Sequence, residues 1–392
     1  MPWQEMSAVS LRAEFVRLAA APGANVRELC RRFGVSPPTA YKWLARARGG
    51  GDLADRSRRP RTSPGRLPAD VEAAVLALRD EHPAWGGRKL RRRLLDLGRP
   101  APAASTVTAV LRRHGRLGPR AGSPRDFVRF EHAAANDLWQ MDFKGHFPTA
   151  AGRCHPLTVL DDHSRYAVGL VACPDEQDAT VRGHLTALFR RSGLPGRVLC
   201  DNGPPWGAGA TGGRHTALTV WLLRLGVAVS HGRPHHPQTQ GKDERFHRTL
   251  KAEVIQGRRF AGVADCQARF DDWREVYNAR RPHEALGLAV PASRYAPSPR
   301  PFPEALPVWE YGPGDEVRRV SANGTVGDRG RVWWVGAAFR GERVALRATA
   351  TDGVREVYLG PHAIATIDSR GQDDMAQPVN HVPEHPLTMS PV

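Results

Sequence analysis

The sequence predicts an α/β core, preceded by all-α units and followed by a small β-barrel domain. Three observations lead there. Between about residues 127 and 263, three strand-like runs are followed by alternating helical and strand patterns. Residues 1–120 have helical periodicity and hold 24 Lys/Arg against 10 Asp/Glu. Residues 308–368 alternate short β-rich runs with Asn-Gly and Asp-Gly turns. Within the core, strands are expected at 137–147, 155–161, 166–173, 197–201 and 227–231, and helices at 176–192, 214–225 and beyond Gly241.

In chain order, Ser7 to Ala20 is amphipathic and helical. Val26 to Arg48 then gives a helix, a turn at Gly34 and a second helix, with Ser36 as N-cap and Pro37 just inside it. Leu29, Phe33, Val35, Tyr41 and Leu44 are its expected core. The pattern resembles a helix-turn-helix, whose second helix presents Thr39, Lys42, Trp43 and Arg46 to a DNA groove. A helical hairpin serving only as scaffold is the alternative. Residues 49–67 form a basic linker. Its Arg56, Arg58, Arg59 and Arg61 suit either a phosphate backbone or a plain solvated tether. Residues 68–120 predict a second, similar unit with helices at Val71–Asp80, Trp85–Leu97 and Ser105–His114, the last capped by Ser105. Its Arg88, Lys89 and Arg92 face DNA or solvent.

Three carboxylates stand out in the core. Asp142 lies in the apolar run Leu138–Phe147, where an isolated acid is costly unless it binds something. Asp201 ends the short run Val198–Cys200 and precedes a Gly/Pro turn. Glu244 opens a helix and shares one face with His247 and Lys251, at i, i+3 and i+7. Such a trio suits two Mg²⁺ ions, which prefer oxygen ligands and retain waters and phosphate oxygens. Lys251 is placed to hold a DNA phosphate, with Lys242, Arg245 and Arg248 as weaker candidates. Asp161 and Asp162 read as turn formers. The histidines at 231, 235, 236 and 247 lack partners for a zinc set and read as DNA contacts or loop-ordering groups.

The segments Trp139-Gln140-Met141-Asp142, Asp201-Asn202-Gly203 and His236 through Arg245 resemble those of bacterial insertion-sequence transposases with a retroviral-integrase-like, RNase H-type core. Tyr277-Asn278, Arg281 through Gly287, Pro291-Ala292 and Arg294-Tyr295 add to the match, which covers about residues 25–296. The resemblance implies that Asp142, Asp201 and Glu244 are the family's Asp-Asp-Glu triad. It further implies Mg²⁺ dependence with Mn²⁺ as a substitute, and double-stranded DNA, both element ends and target, as partner. Dimers or larger assemblies on DNA, in a bacterial cytoplasm at the nucleoid, are expected. The need for an ATPase partner stays open. The implied reaction is 3′-end cleavage and strand transfer; a DNA-binding regulator or a nuclease with the same fold is the alternative. The interval between Asp201 and Glu244 is longer than the family's usual one, and the surplus falls on the Gly-rich stretch 207–213.

A net charge of +17, concentrated before residue 120, points to a polyanionic partner. The five cysteines, at 30, 154, 173, 200 and 266, form no CxxC pair and support neither a zinc knuckle nor a disulfide framework. No apolar run approaches a membrane span, and Glu5, Arg12, Glu14 and Arg17 stand where a signal peptide needs an apolar stretch. The domain plan is completed by a catalytic unit at 127–296 with a C-terminal helical extension, the β unit at 308–370 and a Pro-rich, disordered tail at 371–392.

Overall fold

A computed structural model describes residues 7–57, 67–118, 131–207, 215–232, 241–371 and 374–379. Arg58, Arg59, Arg61, His235 and His236, along with most of the Gly-rich stretch, lie outside the described residues. The chain divides into two compact units, Met1–Leu67 and Pro68–Val392.

The first unit holds helices α1 (Ala8–Ala19), α2 (Val26–Phe33) and α3 (Pro37–Arg48). Ser7 caps α1 by accepting from the Ser10 amide, and Asn25 caps α2 by accepting from Arg27 and Glu28. Gly34 ends α2 at φ 63°, a left-handed conformation that favours glycine. Phe15, Cys30, Ala40 and Leu44 are buried together, with Phe33 edge-on to Phe15 at 5.4 Å. Tyr41, expected inside, is 56% exposed, and Trp43, expected outside, is buried. The buried positions of α3 are Ala40, Trp43 and Leu44, the i, i+3, i+4 face; Tyr41 lies off it.

The second unit begins with α4 (Ala69–Glu81), α5 (Gly87–Asp96) and α6 (Ala104–Arg113) around Val75, Trp85, Leu90, Leu94, Val107 and Leu111. Ala103, not Ser105, is the N-cap of α6, and no side chain caps it. Gly87 fits because a Cβ there would lie 2.3 Å from Thr108 Oγ1 and 2.6 Å from the Ala104 carbonyl oxygen.

The core follows the expected order. Strand β1 (Leu138–Phe143) is central. Gly145, at φ +79°, breaks the anticipated long strand before β2 (Phe147–Thr149). β3 (Gly152–Asp161) runs antiparallel to β1, and β4 (Ala167–Cys173) antiparallel to β3. After α7 (Asp178–Ser192), β5 (Arg197–Cys200) pairs parallel with β1. After α8 (Ala217–Arg224), β6 (Ala228–His231) pairs parallel with β5. One face of the sheet packs on Val181, Leu185 and Phe189 of α7 and Leu218 and Trp221 of α8. The other packs on Phe246 and Leu250 of α9 (Gly241–Leu250) and Phe270, Trp273 and Tyr277 of α10 (Val263–Ala279). This is the mixed, two-sided sheet of an RNase H-like fold.

The C-terminal region is β, as expected, but open. β7 (Glu316–Arg319), β10 (Arg343–Ala348), β11 (Val354–Leu359), β12 (His362–Asp368) and β13 (Gln377–Pro378) form one sheet in the order β13-β12-β11-β10-β7. β8 (Thr325–Asp328) and β9 (Arg331–Trp334) form a separate pair. Among the described residues no ladder joins β7 to β13, so the strands do not close into a barrel. Part of the anticipated tail is structured: β13 pairs with β12, and Met375 bridges Trp334.

Candidate active site

β1 is fully buried from Leu138 to Met141 and surfaces only at Asp142 and Phe143. Its antiparallel register sets Asp142 opposite Thr158 of β3. Its parallel register with β5 pairs Gln140 with Leu199, so Asp201, just past β5, arrives near the level of Asp142. Glu244 sits on the first turn of α9 with its side chain exposed.

The electrostatics tie the three together. Burial, then repulsion by Asp201, Glu176 and Glu244, pushes the Asp142 carboxyl up to about 7. A hydrogen bond from the Phe143 amide opposes the rise. Among the described residues no Lys or Arg pairs with Asp142, Asp201 or Glu244. No three His, Cys, Asp or Glu side chains among them are gathered tightly enough to hold a metal ion as they stand. Asp201 is ordered from behind: its carbonyl lies 2.9 Å from His231 Nδ1, and its carboxylate accepts from the Asn202 amide at 2.7 Å.

His247 lies one turn beyond Glu244. Its Nε2 is 2.8 Å from Thr158 Oγ1, which in turn donates to the Asp142 carbonyl at 2.9 Å. Burial, reinforced by Lys144, drives the imidazole down to about 4, so it is neutral at physiological pH. Lys251 is exposed and opens a π-helical turn (Lys251–Ile255) that follows α9. Burial, then the nearby Lys251, lowers the Lys144 ammonium, so two cations lie close together at this end of the site.

Several expected contacts are redirected. Lys242 turns inward onto Asp162, and burial lowers its ammonium to about 8; it is not presented to solvent as a phosphate ligand. Asp162 also accepts from the His132 amide and Gln140 Nε2, while Asp161 accepts from Ser164 and the Asn136 amide. Asp161 shapes the turn after β3, as expected, whereas the Asp162 carboxylate reaches out of the turn to His132, Gln140 and Lys242. Arg245 and Arg248 stay exposed. Trp43 lies under Arg12, whose guanidinium is 4.0 Å from the ring centroid, so it is a platform for cations, not a groove contact. Lys42 is exposed, and Thr39 and Arg46 are half-exposed. Arg56 is exposed. Arg88 lies 3.9 Å from Glu284, and Arg92 binds Asp96 at 2.8 Å. Lys89 is half-buried, its ammonium lowered to about 8 by burial and then by Arg281. Arg281 is itself buried and bonded to His283 at 3.1 Å, a structural role.

Three charged residues of this region escaped the sequence reading. Lys144 has a signal, since two-residue alternation puts it on the side of Asp142. Glu176, held by His155 at 2.8 Å, precedes α7 in what read as plain helix. Asp243 is fully buried beside Asp142 and Asp162, which raises its carboxyl well above the usual range; neither oxygen has a hydrogen-bond partner. Nothing in GKDER separates an inward Asp from an outward one.

Family models match most of this architecture. A helix-turn-helix domain matches residues 11–61 and a homeodomain-like domain residues 39–111. Two integrase core domain models match 132–237 and 225–291, and the IS481 family transposase, C-terminal domain matches 315–375. The chain is 28% identical over 159 residues to an uncharacterized protein of insertion element IS407 from Burkholderia multivorans, covering 41% of this chain and 55% of that one. It is 26% identical over 276 residues to an uncharacterized protein of insertion element IS476 from Xanthomonas euvesicatoria, covering 68% and 75%. It is 28% identical over 165 residues to the transposase for insertion sequence element IS904 from Lactococcus lactis, covering 41% and 62%. The first of these matches thus spans about half the length of its relative. Among the described residues no helix is long and apolar enough to cross a membrane.

Proposed function

We propose that this chain, built as a bacterial insertion-sequence transposase with an integrase-like core, cuts the 3′ ends of its element and joins them to target DNA. The observation that carries the proposal is the carboxyl of Asp142, raised by burial and then by Asp201, Glu176 and Glu244, and paired with no Lys or Arg among the described residues. An uncompensated set of oxygen donors fits a divalent cation. Asp142, Asp201 and Glu244 would hold two Mg²⁺ or Mn²⁺ ions, drawn closer than they stand without them. Bound there, the ions supply charge to activate the attacking oxygen and stabilise the leaving one.

The chain's own residues do the rest. Lys251 and Lys144 hold the phosphates beside the scissile bond. Burial keeps water from most of the Asp142 carboxyl, strengthening its field on the reacting oxygens. Lys42 and Arg46 of α3, with the basic linker, take the terminal repeats, and α5 with Arg88 supports them. Two ends handled together require a dimer or larger assembly, working on cytoplasmic, nucleoid DNA.

The test is strand cleavage and joining on DNA flanking the gene's own locus, with Mg²⁺ or Mn²⁺. Wild type should nick and join, while Glu244→Gln binds the ends without cutting. Cutting by the variant would refute the assignment. Binding without cutting by both would favour a regulator.

A further inference from the structure

We propose that His247 is a nitrogen ligand to the same cation as Asp142, and that Thr158 fixes the tautomer that allows it. This rests on the reading of Asp142 as a cation-holding carboxylate. The proposal follows from counting protons. Thr158 Oγ1 carries one hydrogen, and it lies 2.9 Å from the Asp142 carbonyl oxygen, which can only accept. Toward His247 Nε2, at 2.8 Å, the same oxygen must therefore act as acceptor. Nε2 bears the ring proton, and Nδ1 carries the lone pair. Nδ1 is the atom turned to the site, 4.0 Å from Asp142 Oδ2.

The opposite assignment fits worse. If Thr158 donated to Nε2, the Nδ1–H would point at a carboxylate oxygen too distant to accept it, and the Asp142 carbonyl would lose its hydroxyl donor. A metal-binding histidine has its other ring N–H held by an oxygen acceptor, usually a carboxylate, backbone carbonyl or water, and here the threonine hydroxyl takes that place. Nδ1 and Oδ2 face the same space, so a cation held by Asp142 there would have His247 within reach. Glu244 lies one helical turn away on the same face of α9, so one face offers both an oxygen and a nitrogen donor. The chemical consequence is selectivity: a nitrogen donor shifts the site from Mg²⁺, which prefers oxygen, toward Mn²⁺.

The test uses the full chain with Mn²⁺ alone, without DNA, read by titration calorimetry and by pulsed electron paramagnetic resonance. Wild type should show ¹⁴N modulation of the Mn²⁺ signal. In His247→Gln that modulation should vanish and Mn²⁺ binding weaken by at least about tenfold, with a smaller loss for Mg²⁺. Thr158→Val, close in shape to threonine, leaves His247 in place but frees its tautomer. It should weaken Mn²⁺ binding several-fold and diminish the modulation, which guards against misfolding of the first variant. Mn²⁺ bound in an all-oxygen environment, equally in wild type and His247→Gln, would overturn the ligand while leaving the carboxylate site standing. Equal Mn²⁺ titrations for wild type and Asp142→Asn would bring down the carboxylate site, and His247 with it.

Discussion

Asp142, the proposed catalytic carboxylate, carries a cost to the fold. It sits on the central strand with its side chain 25% exposed, and its carboxyl is pushed up to about 7. Its ionised form is thus less favourable in the folded chain than in the unfolded one. Below about pH 4 both states hold the proton and the cost is absent. It grows as pH rises toward 7 and is complete above that. Asp142→Asn should therefore be inactive yet more stable than wild type, by on the order of 2–4 kcal/mol at pH 8. Most of that gain should be gone at pH 5. Thermal melts in EDTA at both pH values check it, and an equal gain at both would contradict the electrostatic cause. Asp142 and Asp201 stood out in the sequence because each breaks a local pattern, an acid in an apolar strand and one at a strand's end, whereas Glu244, at a helix start, joins them only through the family resemblance. Lys242 and Asp243 were not legible. Both are charged residues at a helix start, where charge is ordinary, and only the buried Asp162 turns Lys242 inward. Trp43 and Tyr41 exchanged roles for a similar reason. Both are aromatic, and the choice between them depends on Ala40, Leu44 and the Arg12 guanidinium of another helix.

Elements were easier to read than their assembly. The strand and helix order of the core needed only periodicity, whereas the closure of the C-terminal strands depends on partners far away in sequence. Hairpin turns specify which strands are neighbours, and they leave the edges of a sheet undetermined. The two C-terminal sheets share apolar packing and the Met375–Trp334 bridge, and a buried side chain ties them further. Arg355 of β11, 5% exposed, reaches Asp328 of β8 at 2.6 Å and Glu316 of β7 at 2.7 Å. Arg355→Ala leaves Asp328 buried and unpaired and should cost about 3–5 kcal/mol, seen as early melting of the C-terminal region in hydrogen exchange. Loss under 1 kcal/mol would mean that apolar packing and the backbone bridge at Met375 hold the sheets together without the ion pair. The helical unit has a comparable point of dependence at Gly87, where α5 touches α6. A methyl group would collide with the Ala104 carbonyl and with Thr108, so Gly87→Ala should destabilise residues 68–117 by about 1–3 kcal/mol. A urea melt followed by Trp85 fluorescence reports it, since that ring is fully buried in the same cluster.

At the scale of the whole molecule, charge is segregated. Residues 1–120 account for a net +14 of the total +17, and the rest of the chain is much closer to neutral. A uniformly basic protein would press DNA against every face, the one bearing the three carboxylates included. On the proposed function, such segregation would hold the duplex at the front end and leave the carboxylates to cations. The consequence is measurable as salt dependence, because each phosphate contact releases condensed counterions and contributes about −0.9 to the slope of log K against log salt. Lys42, Arg46 and Arg56 lie in the first compact unit and remain wholly or partly accessible to solvent. Changing all three to Gln should lower the magnitude of that slope by about 2–3 on element-end DNA. Glu244→Gln, by contrast, should leave the slope unchanged or steepen it slightly, since it removes a repulsive charge. Fluorescence anisotropy at four or five salt concentrations separates the two. If the triple variant kept the wild-type slope, the front end would not be what grips DNA, and the excess charge would have to act through residues of the second unit such as Arg88, Lys144 and Lys251.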